Sequence, residues 1–222
     1  MPDLAVILDM DGLMVDSEPL SRRAWNQVLK TYGADLDDAV YRGIIGRRTT
    51  ESAAIMIQTY DLPLEVGDLV RLKTDALSEI RAAGMPVMPG LYELHDCILR
   101  NNLTWGVATS SLRAYAEDIL QQIGLFASCS AVVGGDEVPH GKPAPDIYLL
   151  AAERLGTPAA KCLAFEDSGP GWQAAHAAGL LVAAVPNGDT LTTDFSAADH
   201  IFPSLLEAAG AFDRLLAELA KH

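Results

Sequence analysis

Two acids, Asp9 and Asp11, follow the apolar run Val6-Ile7-Leu8 and are separated by a single residue. On an extended strand, side chains two apart point the same way, so both carboxylates would share a face. Each negative charge raises the cost of ionising its neighbour. A protein keeps such a pair where a cation sits between the acids or where chemistry uses them. A second acidic pair, Glu166-Asp167, closes another apolar run, and Thr109 closes a third. That these acids and Thr109 all fall at the ends of apolar runs makes them the first residues to explain.

The elements that must position them are legible as alternating patterns. Short apolar runs at 4–8, 103–108, 131–133, 162–165 and 181–185 are separated by helical spacing, and a last helical stretch covers 204–220. Nearly continuous apolar strands between helices predict an α/β fold, a Rossmann-like parallel sheet with helices on both faces. Ligands of such sheets gather beyond the carboxyl ends of the strands, where Asp9, Asp11, Thr109, Glu166 and Asp167 all fall. The interval 17–84 differs, with no convincing strand but helical spacing at Leu20, Ala24, Val28 and Tyr32, then Ala53, Ile57 and Tyr60. Ser17 is the expected cap of the first of these helices, with Pro19 in its first turn, and Thr49 or Thr50 that of a later one. The Pro/Gly-containing stretch 84–90 returns the chain. The expected organisation is a core of 1–16 and 85–222 with an all-helical cap domain, 17–84, inserted after the first strand.

Composition excludes several functions. The 222 residues carry a formal charge of −14, which argues against a nucleic-acid partner, because phosphate backbones are held by clustered Lys and Arg. An anionic substrate would then need local positive charge, and a metal ion is one source. Cys97, Cys129 and Cys162 form no CxxC pair, so neither a disulfide framework nor a thiolate zinc site is expected. The five histidines lack metal-ligand spacing. No apolar stretch approaches the roughly 20 residues that span a bilayer. Without the basic and apolar regions of a leader at the N-terminus, the expectation is a cytoplasmic monomer with no membrane partner.

Four elements occur in order: Asp9-Met10-Asp11-Gly12; Ala108-Thr109-Ser110-Ser111; Gly141-Lys142-Pro143; and Phe165-Glu166-Asp167-Ser168 followed by Gly171. In these the chain resembles the haloacid dehalogenase-like hydrolase superfamily, in its helical-cap branch, and is similar there to sugar-phosphate phosphatases and β-phosphoglucomutase. The resemblance implies an Mg²⁺-dependent phosphoryl transfer through an aspartyl-phosphate. Asp9 would be the nucleophile, and Asp11 the general acid and then base. Mg²⁺ would be held by the Asp9 carboxylate, the Asp11 carbonyl and Asp167. Thr109, the Ser110 amide and Lys142 would hold phosphate. Glu166 stays open among a direct ligand, a group behind the ligands and an ordinary acid. Arg47 and Arg48 stand between substrate contacts and solvated charges, and Trp25 between a sugar platform and cap core.

Departures from the pattern narrow the reaction. The dehalogenases of the superfamily lack the second acid, present here as Asp11. The phosphonate hydrolases lack it too and use a lysine of the first cap helix, where this chain has none over residues 19–29. The mutases carry a cap histidine, a lysine and a cationic cap loop where this chain has Ser21, Leu112 and Ile45-Gly46-Arg47-Arg48-Thr49. The expected activity is therefore a phosphatase for small phosphomonoesters, sugar phosphates foremost. The alternatives are a phosphosugar mutase and a phosphate-binding regulatory relative without turnover.

Overall fold

The computed structural model describes residues 4–82, 84–191 and 193–221. Strand β1 (Ala5–Leu8) is buried along its whole length. Helices α1 (Glu18–Thr31), α2 (Asp38–Arg42), α3 (Thr49–Tyr60), α4 (Val66–Arg81) and α5 (Leu91–Arg100) follow before β2 (Thr104–Ala108). Then come α6 (Arg113–Gln122), β3 (Ala131–Val133), α7 (Asp146–Arg154), β4 (Cys162–Glu166), α8 (Gly169–Ala177), β5 (Leu181–Ala184), β6 (His200–Ile201), α9 (Leu205–Gly210) and α10 (Phe212–Leu219). The strands form one parallel sheet in the order β3-β2-β1-β4-β5-β6. Strand β6 was not expected from the sequence. It is a two-residue edge strand that buries no apolar run, so nothing marks it but its neighbour.

Alternation along β1 explains why both faces are covered. Leu4, Val6 and Leu8 pack with Leu94 and Ile98 of α5, Ile119 of α6 and Phe212 and Leu215 of α10. Ala5 and Ile7 face the opposite way, onto Ile147 and Ala151 of α7 and Ala174 of α8. A third apolar core lies among α1–α4, built from Trp25, Val28, Leu29, Tyr41, Met56, Leu69 and Leu77. This helical unit therefore buries its own stripe instead of borrowing the sheet's. Two neighbouring connections join it to the sheet: Val15 bridges Val87 in antiparallel register, the Asp16 amide donates to the Pro86 carbonyl (2.9 Å) and Met88 donates to Met14 (3.0 Å).

Two predicted caps are corrected. Ser17 does precede α1, but its backbone is already helical and its hydroxyl makes no capping bond; it is turned toward Asp11 instead. The residue capping α3 is Arg48, without a side-chain bond, and Thr49 is the first helical residue. Among the described residues no helix is long and apolar enough to cross a membrane.

Candidate active site

Asp9 and Thr109 continue the sheet ladder one residue past β1 and β2, through bonds from Asp9 N to the Phe165 carbonyl and from Thr109 N to the Val133 carbonyl, both 3.0 Å. The ladder fixes where their side chains emerge. Lys142, in the loop before α7, donates its ammonium to Asp9 Oδ1 (2.5 Å), Glu166 Oε1 (2.5 Å) and the Ala108 carbonyl (3.0 Å). Lys142, Asp9 and Glu166 are all buried. Burial alone pulls an ammonium down, but the charges of Asp9 and Glu166 outweigh it and hold Lys142 protonated above the ordinary lysine value.

Glu166 is saturated. Its Oε1 also accepts the Tyr148 hydroxyl (2.6 Å), and Oε2 accepts from the Ser168 amide and hydroxyl. A carboxylate with this many donors is already charge-balanced by the protein, and of the readings left open for Glu166 this favours a support behind the ligands. It ends β4 instead of lying beyond it. Gly171 sits where any side chain would strike the Glu166 carboxylate, so α8 closes directly over it.

Asp11 points elsewhere. Its Oδ1 accepts from Ser17 (2.8 Å), and its Oδ2 from Ser111 (2.8 Å) and Thr109 (3.2 Å). Asp9 and Asp11 therefore serve separate networks, and repulsion between them is not relieved by one shared partner. A hydroxyl both donates and accepts, so rotation of these three groups can hold Asp11 in either protonation state. The Ser110 hydroxyl donates to the Gly46 carbonyl (2.9 Å), tying the helical unit to the end of β2.

The acids that converge are Asp9, Glu166 and Asp167, whose nearest oxygens lie within 4.8 Å of one another. Burial, opposed by Lys142, pushes Asp9 well above the usual carboxylate range. Burial and then the charges of Asp9 and Glu166 do the same to Asp167. Asp167 Oδ1 is buried without a hydrogen-bond partner among the described residues. An orphaned carboxyl oxygen beside two other acids is a misfit in a protein that binds no cation. It fits one that takes a hard, oxygen-seeking divalent ion. Gly12, at φ +88°, leaves no room for a side chain beside the Asp167 carboxylate, and the Asn187 amide spans from that carboxylate to the Gly12 carbonyl.

Above these groups lies a cavity of about 110 Å³, reached by Asp9, Asp11, Thr109, Ser110 and Ser111 from the sheet side. From the helical unit come Trp25, Tyr41, Ile44, Arg47 and Lys73. The predicted Asp9, Asp11, Thr109, Ser110 and Lys142 are thus brought together, with Asp167 and Glu166 beside them. Trp25 is both core and wall: it is 2% exposed yet lines the cavity, with the Lys73 ammonium 5.8 Å from its ring centre. Arg47 reaches the wall while donating to the Gly43 carbonyl. Arg48 does not line the cavity, and its Nη1 and Nη2 donate to the Pro139 and Val138 carbonyls. Sequence reasoning missed Lys73, Tyr148 and Ser111. Ser111 stood in a quoted motif; Lys73 and Tyr148 sit in ordinary helical patterns that carry no signal of where they aim.

The chain matches known proteins over most of its length. A family model for haloacid dehalogenase-like hydrolases matches residues 4–179. The chain is 36% identical over 219 residues to protein CbbY of Rhodobacter capsulatus, covering 92% of this chain and 95% of that one. It is 37% identical over 175 residues to the fructose-1-phosphate phosphatase YqaB of Escherichia coli (strain K12), covering 79% and 92%. Among solved structures, a mutant of CbbY from Rhodobacter sphaeroides in complex with xylulose-(1,5)bisphosphate superposes with a TM-score of 0.85 at 29% identity, covering 92% and 96%.

Proposed function

Since the chain belongs to the haloacid dehalogenase-like hydrolases, we propose that it hydrolyses small phosphomonoesters, sugar phosphates foremost, through a phosphorylated Asp9. The observation that carries this reading is the Lys142 ammonium 2.5 Å from Asp9 Oδ1, with Asp9 and Asp11 both lining one cavity. A carboxylate nucleophile divides hydrolysis into two displacements. Asp9 attacks phosphorus, the ester P–O bond breaks, and Asp11 gives its proton to the departing alkoxide. Asp11 then takes a proton from water, whose oxygen attacks the acyl-phosphate, releasing inorganic phosphate and restoring Asp9. Lys142 keeps its charge throughout and offsets negative charge on Asp9 and the phosphoryl oxygens. Thr109 and the Ser110 amide stand at the end of β2 to bind those oxygens. Asp9 and Asp167, with the Asp11 carbonyl, would hold Mg²⁺, which supplies the further positive charge that a dianionic ester needs.

The helical unit is read as a cap that closes over the reacting groups, excludes bulk water and judges the leaving group. The wall suits a hydroxylated body with an apolar face, because Lys73 and Ser21 stand among Trp25, Tyr41, Ile44 and Leu77. The relatives named as phosphatases and the bisphosphate bound to the CbbY mutant support this class. A panel of phosphorylated metabolites with Mg²⁺, assayed for released phosphate, tests the reading. Mass spectrometry of acid-quenched turnover should locate +80 Da (about one phosphoryl group) on Asp9. An adduct elsewhere, or no turnover of any ester, refutes it. Formation of an isomeric sugar phosphate without released phosphate would indicate the mutase reaction.

A further inference from the structure

We propose that Arg48 is a positioning residue that couples seating of the helical unit to the placement of Lys142. This rests on the reading of Lys142 and of the cap given above. Arg48 stands at the head of α3 and reaches across to the loop between β3 and α7. Its Nη2 donates to the Val138 carbonyl (2.5 Å) and its Nη1 to the Pro139 carbonyl (3.2 Å). The stem lies along Gly141, the residue before Lys142. A Cβ at Gly141 would fall 2.8 Å from Arg48 Nε and 3.0 Å from its Cγ and Cδ. Gly141 is not among the positive-φ glycines, so its missing side chain answers a need for space and not for an unusual backbone. Arg48 fills that space.

The same loop is anchored on its sheet side by Glu137, which binds Arg113 and Arg154. Among the described residues, Arg48 supplies the side-chain hydrogen bonds that reach this loop from the helical unit. When the unit is seated, both ends of the segment leading into Lys142 are held; when it lifts, the Arg48 end is released. A small shift in Lys142 would carry its ammonium away from 2.5 Å contact with Asp9, and misplacements near 1 Å cost about 100-fold in rate. Arg48 does not touch the cavity, so its loss should act on turnover and not on substrate binding.

The test measures kcat and KM on a phosphomonoester taken from the panel for Arg48→Ala, Arg48→Lys, Gly141→Ala and the Arg48→Ala/Gly141→Ala double variant. Arg48→Ala should lower kcat about 10-fold or more, with KM within about twofold, and Arg48→Lys should recover part of the loss. Gly141→Ala should reproduce the defect by expelling the arginine stem. In the double variant the new methyl has room, so the two losses should not add. A rise in KM alone, unchanged kinetics in Arg48→Ala, or additive losses would overturn the proposal. If the wild-type protein turns over no ester, the phosphatase reading fails separately. Amide exchange at His140, Gly141 and Lys142 then decides: faster in Arg48→Ala supports the coupling, and unchanged exchange refutes it. Circular dichroism of each variant shows that it is folded.

Discussion

Lys142 and Glu166 meet at 2.5 Å with side chains only 1% and 0% exposed. Removing one member of such a pair strands the other charge unless a second partner remains, and Lys142 keeps Asp9 at 2.5 Å. Glu166→Ala should therefore cost less than the roughly 3–5 kcal/mol of a fully broken buried pair, read as a lower denaturant midpoint. Lys142→Ala should lower kcat by about 10²–10³ in a phosphate-release assay. Tyr148→Phe removes only one donor to Glu166 and should have a much smaller effect on both.

Metal removal gives a second expectation. With the orphaned Asp167 oxygen and two neighbouring acids left to repel one another, excess chelator should abolish turnover, and added Mg²⁺ should restore it. Mg²⁺ at about 100 times its dissociation constant should stabilise the fold by about 2.7 kcal/mol, visible as a rise in Tm. Asp167→Asn should lose that rise. Full activity in chelator would overturn the metal assignment.

Lys73 should govern affinity. Its ammonium, lowered by burial against the opposing pull of Asp11 and Glu18, lies in the wall above Trp25. Lys73→Met keeps the stem but removes the charge. KM for the best ester of the panel should rise about 10-fold, the factor lost with one modest charged contact, while phosphorylation of Asp9 at saturating substrate changes little. A fall in kcat at constant KM would instead make Lys73 part of the transferring machinery.

Glu137 predicts an acid-side loss of stability. Its bonds to Arg154, with help from the Gly134 amide, hold it down to about 2, below the ordinary 4.5. A depressed carboxylate stabilises the fold fully above its unfolded value and loses that contribution as pH falls toward the folded one. Denaturant midpoints of the wild type and Glu137→Gln should thus differ by a constant amount above about pH 5, then converge as pH approaches 2. A gap that widens on acidification would contradict this.

Much of the fold was legible because strands buried on both faces read as continuous apolar runs, and β1–β5 each came within a residue or two of expectation. Strand β6 was not, because a two-residue edge strand takes its identity from β5 alone. The sheet-borne residues of the site were legible for a related reason: Asp9, Thr109 and Asp167 sit at strand ends, where topology aims side chains before tertiary detail matters. Ser17 looked like a helix cap because serine before a proline-started helix often is one, and only packing reveals that Asp11 claims the hydroxyl. Arg47 and Arg48 are adjacent and alike, yet one meets the cavity and the other clasps the Val138 carbonyl. No pattern in the chain separates them, since the difference arises from a loop ninety residues away.

The crossings at Val15 and Val87 run side by side and are zipped by backbone bonds. A lone tether would let the upper body swivel in any direction. A zipped pair resists sliding and twisting, because either would shear both bonds at once, yet bends easily across its width. Closure of the kind proposed above would then follow a single gate-like swing, and each return of the upper body would bring the same side chains to the same seats.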